Sequence, residues 1–187
     1  WSGLAGHSEQ ATVGILGVPF DNAASFRRGA AAAPAKIREI TPHIAPVTET
    51  GQLLKGLRIC DYGDVAPDLN WERYFATVTT RALETLQHPF ALFLGGDHSV
   101  TIPLVKAFSR HQPPGTLGVL HLDAHTDLMD TFEGHQWSHA CTARRVLENP
   151  NIDPRHLVFV GIRSWLEAEL DFLSEHQEIG VYSAREV

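Results

Sequence analysis

Cysteine is scarce in this sequence. Cys60 and Cys141 are the only two in 187 residues, and they form no CxxC pair. A disulfide framework is therefore not expected, and two reduced thiols in a cytoplasmic protein are. No apolar run approaches the ~20 residues needed to cross a bilayer, which argues against a membrane role. Basic residues are outnumbered, 15 Lys and Arg against 22 Asp and Glu, for a formal charge of −7. That balance disfavours nucleic acid as a partner and mildly favours a cationic small substrate. Methionine is nearly missing: Met129 stands alone, and the chain opens on Trp1-Ser2-Gly3 with neither an initiator nor a secretory signal. We therefore expect the chain to begin inside a longer protein. Repeats and low-complexity linkers are absent too, so residues 1–187 are read as one domain. A hydrophobic content of 43% makes it globular.

What is present is an alternation of strands and helices. Apolar runs at 12–18, 57–62, 90–95, 117–122, 156–162 and 179–182 read as strands. Between them fall helices over about 35–40 with Pro34 in the first turn, 71–87 capped by Asn70, 99–110, 140–148 and 166–176. In the longest helix Trp71, Tyr74, Phe75, Val78, Ala82, Leu83 and Leu86 form one apolar stripe, a core face. The strands are continuous apolar runs, which describes a mostly parallel sheet covered on both faces, an α/β protein with three α/β/α layers. Ligands in such folds bind at the carboxyl ends of strands. Asp21, Asp97-His98, Asp123 to Asp127 and Arg163 all fall there.

The chemistry concentrates in residues 117–139, LGVLHLDAHTDLMDTFEGHQWSH. Asp123, His125 and Asp127 occupy alternate positions just past a strand, so their side chains can converge. The strand FALFLGG ends in Asp97-His98. His98, Asp123, His125 and Asp127 thus make a candidate metal-ligand set. Carboxylates with imidazoles and no thiolate suit Mn²⁺, Fe²⁺, Ni²⁺ or Zn²⁺. Cys141 is read as a packing residue.

These motifs carry a resemblance. GVPFDNAASFRRGAAAAPAKIRE, DYGDV, LGGDHSVTIPLV, LHLDAHTDLMDTFEGHQWSHACTARRVLE and VFVGIR are similar to the ureohydrolase family of arginases, agmatinases and their relatives, over nearly the whole chain. The resemblance implies the arginase-like fold and a hydrolase with two Mn²⁺, Ni²⁺ or Fe²⁺ being alternatives. Such an enzyme cleaves a guanidino compound to urea and an amine through a metal-bridging hydroxide. It further implies His98, Asp123 and Asp127 on one metal, Asp123 and His125 on the other, and Asp123 bridging. His139 falls where the family has its proton-transferring histidine, with His135 a competitor. A trimer or hexamer is implied as well.

The loop 128–138 resembles agmatinase-like members more than arginases and shows no evident carboxylate clamp. Agmatine, hydrolysed to putrescine, is therefore expected ahead of arginine, guanidinobutyrate and other guanidino compounds. A two-metal phosphoesterase and an inactive family member are the rival readings. The family supplies two further carboxylates from an Asp-x-Asp strand. None follows Arg163, since Glu167, Glu169 and Asp171 sit at helical spacing, so we expect the domain to be incomplete at its C-terminus and this segment alone to be inactive.

Overall fold

The strand β1 (Val13–Val18) is buried at every residue, and the first half of the chain is assembled on it. The computed structural model describes residues 1–6 and 10–187. These form two compact units, Trp1–Val100 and Thr101–Val187.

In the first unit β1 is the central strand, with β2 (Ile59–Asp64) and β3 (Phe90–Gly95) parallel to it on either side. The helices α1 (Ala33–Ile40) and α2 (Trp71–Thr85) make the crossovers. Pro34 sits in the first turn of α1, where a missing N–H costs nothing. Asn70 caps α2, its side chain accepting the Arg73 amide at 2.9 Å. The expected stripe on α2 is buried at Tyr74, Phe75, Val78, Ala82 and Leu86. Phe20, at the exit of β1, stacks on Tyr74 with centroids 5.1 Å apart and meets Trp71 edge-on at 5.2 Å. These aromatics are core, as their spacing indicated. Arg38 of α1 grips Asp61 at 2.7 Å and also reaches Asp64 and the Gly63 carbonyl, pinning the helix to the end of β2.

The second unit carries α3 (Thr101–His111), β4 (Val119–Leu122), α4 (Thr142–Leu147), β5 (Leu157–Ile162), α5 (Glu167–Glu175) and β6 (Gly180–Ser183). Its strands are again parallel, in the order β4-β5-β6. Leu128, Ala143, Leu157, Phe159, Ile162 and Ile179 form its core. On β4, His121 is buried, while Leu120 and Leu122 are 63% and 70% exposed in this chain. No helix among the described residues is long and apolar enough to cross a membrane.

Candidate metal centre and its cleft

In the first unit the strand order β2-β1-β3 puts a switch of direction between β1 and β3, where α/β sheets open a crevice. Asp97 closes that point. Its amide donates to the Phe20 carbonyl at 2.8 Å, and its carboxylate accepts the Ala23 and Ser99 amides at 2.9 Å each. The double glycine before it has a steric cause: a Cβ on Gly96 would lie 2.0 Å from the Phe20 carbonyl oxygen. Gly96→Ala is therefore expected to destabilise the protein by about 1–3 kcal/mol, as overpacking does, read as a lower urea midpoint. An unchanged midpoint would show that the β1 and β3 exits can move apart freely. His98 follows Asp97 and opens the short turn His98–Val100.

In the second unit β4 runs out into the sequence Asp123 to Asp127. The Asp123 amide still donates to Val160 on β5, at 3.2 Å, and the Ala124 carbonyl accepts the Arg163 and Ser164 amides. The turn is thus held by main-chain bonds on its β5 side. Asp127 adopts a left-handed backbone, φ 51°, a region Asp tolerates better than most residues. His125 lies beside Asp123, Nδ1 to Oδ1 3.4 Å, with its side chain 59% exposed.

A residue that our sequence reading left out joins this group. His121, buried on β4, places Nε2 3.8 Å from Asp123 Oδ2 and 4.0 Å from Asp127 Oδ2. One donor atom each from His121, Asp123 and Asp127 lies within 4.8 Å of the others. Two carboxylates and an imidazole this close suit a divalent cation of the first transition row. The alternation that flagged 123, 125 and 127 extends back to 121, so the signal for His121 was in the same stretch.

A cleft of about 250 Å³ opens beside this turn, lined by His125, Asp127, Phe132, His139, Ala140, Ser164, Trp165, Leu166 and Glu169. His139 begins the turn that leads into α4 and meets Phe132 edge-on, centroids 5.5 Å apart. The loop between Leu128 and His139 is closed at its base by Arg145. This buried guanidinium donates to the Asp130 and Gln136 carbonyls at 3.2 and 3.4 Å and to the Asp130 carboxylate at 2.8 Å. The pairing holds the Asp130 carboxyl below its ordinary range. Burial pushes the Cys141 thiol up, consistent with a packing residue rather than a thiolate ligand.

The model of the arginase family matches positions 11–187. Arginase 1, mitochondrial, of Arabidopsis thaliana is 37% identical over 166 residues, covering 83% of this chain and 48% of its own length. The agmatinase of Bacillus cereus is 32% identical over 170 residues, covering 89% and 57%. The crystal structure of the agmatine ureohydrolase of Thermoplasma volcanium superposes with a TM-score of 0.83 at 26% identity, over 98% of this chain and 61% of that one. The chain thus spans about half to three-fifths of the length of these relatives. Since the family match extends from ahead of β1 to beyond β6, taking in both strand-end motifs, this chain belongs to the arginase family.

Proposed function

We propose that the complete protein is a metal-dependent amidinohydrolase that cleaves agmatine to putrescine and urea. The observation that carries this reading is the convergence of histidine and aspartate donors at the end of β4, in a chain of the arginase family. His98, Asp123, His125 and Asp127 are the proposed ligands, in line with the family motif, with Mn²⁺ as the proposed ion, two in the complete site. Divalent ions at such a site supply a nucleophilic water at neutral pH and polarise the bond to be attacked. His139 is the proposed proton donor to the departing amine, a task suited to an imidazole. Its place on the cleft wall with His125 and Asp127 supports that role.

The cleft also bears on substrate. Phe132, Trp165 and Leu166 offer apolar walls to a methylene chain, and the described lining residues include no lysine or arginine. An α-carboxylate would meet no permanent cation among these described residues, whereas a decarboxylated substrate needs none. The relative of Arabidopsis thaliana named arginase keeps arginine as the second reading. Urea release by the complete, Mn²⁺-loaded protein separates the two. Agmatine is expected to exceed arginine in kcat/KM by ~10–100-fold, the discrimination a pocket of this kind provides. Arginine turned over equally well would replace the agmatinase reading with the arginase one.

A further inference from the structure

Asp127 and Leu128 share a peptide group that is gripped from both sides. Its carbonyl oxygen accepts the Ala143 and Arg144 amides at the start of α4, at 3.0 and 3.3 Å. Its N–H, on Leu128, donates to Glu169 Oε1 at 3.1 Å. Glu169 is 3% exposed and lies in the first turn of α5, where Oε2 accepts the Leu166 amide at 2.9 Å. Both oxygens of this buried carboxylate are therefore engaged by main-chain donors. One bond closes the start of its own helix, and the other reaches 41 residues back along the chain.

A peptide group is planar, so fixing its oxygen and its N–H fixes its orientation and hence ψ of Asp127. Asp127 sits at φ 51°, off the main populated regions, where a backbone persists because its surroundings hold it. Flipping the 127–128 peptide would break the Glu169 bond and both α4 bonds at once. It would also leave a carboxylate buried without the donor it faces, which is costly. The side chain that this backbone aims belongs to the donor group at the end of β4.

We propose that Glu169 is a positioning residue, which sets the direction of the Asp127 carboxylate by receiving the Leu128 amide. The proposal rests on the reading of Asp127 as a metal ligand. Outer partners of this sort contribute to metal affinity without touching the ion.

Two variants of the complete protein, Glu169→Ala and Glu169→Gln, test it with two readouts. The first is hydrogen exchange of the Leu128 amide in metal-free protein. The second is Mn²⁺ affinity by calorimetry, with the melting curve recorded beside it. Glu169→Ala is expected to speed Leu128 exchange and to weaken Mn²⁺ binding by ~10–100-fold. Glu169→Gln is expected to fall between it and the wild type, since the amide oxygen can serve one of the two N–H groups. If Glu169→Ala does not fold, Glu169→Gln decides by the same readouts. Wild-type Mn²⁺ affinity in a folded variant, or unchanged Leu128 exchange, would overturn the proposal and leave Glu169 a helix cap. A wild-type protein that binds no Mn²⁺ would instead sink the metal reading, and the metal-free exchange experiment would still decide the role of Glu169.

Discussion

Replacing His139 with alanine is expected to slow urea release by ~10²–10⁴-fold, the usual contribution of a positioned general acid, with metal content unchanged. His139 lines the same cleft as His125 and Asp127 but is not among the donors clustered at the end of β4. Its ring rests edge-on against Phe132, and Ser138 Oγ lies 3.3 Å from Nδ1, contacts that orient the imidazole. Removing the ring should therefore leave the donor cluster in place and take away the proton. Turnover and metal stoichiometry are measured on the same preparation of the complete protein. Loss of metal together with activity would make His139 a ligand or a structural residue.

Asp127→Asn is expected to weaken divalent-metal binding by more than the ~10–100-fold that outer-shell changes cost, with little loss of stability in chelator. Asparagine has nearly the shape of aspartate and tolerates the left-handed backbone that Asp127 adopts at φ 51°. What it lacks is the charge that a hard cation requires. Asp127→Leu is the contrasting variant: a bulky side chain is disfavoured at that φ, so it should lower the melting temperature as well. Metal titration and thermal melts of both variants provide the check. A large drop in melting temperature for Asp127→Asn in chelator would show that the carboxylate holds the fold rather than an ion.

Much of this arrangement was legible in the sequence, because the signals involved are local. Each of the six expected strands and five expected helices exists, with ends displaced by at most two residues. Asn70 and Pro34 marked their helix starts because a cap and a missing N–H act within one turn. Period-two spacing drew attention to Asp123, His125 and Asp127; Asp123 and Asp127 stand in the donor group with His121, which the reading passed over, whereas His125 lies beside Asp123 with its side chain exposed. Other features depend on contacts far apart in the chain. Glu169 reads as one more acidic residue in a helical pattern, and only folding brings it to the Leu128 amide. Arg145, which nothing in its local sequence singled out, is buried under the loop it closes.

Arg145 also bears on how this cleft could diversify. Two of its bonds fall on the main-chain carbonyls of Asp130 and Gln136, groups that every amino acid provides. The span between them, 131–135, contains Phe132, a wall of the cleft. Side-chain changes within that span leave both of those carbonyls in place. The base of the loop is thereby uncoupled from the identity of its tip. A change at Phe132 would alter a wall of the cleft and the ring contact of His139 together, while the two carbonyls that Arg145 holds would remain.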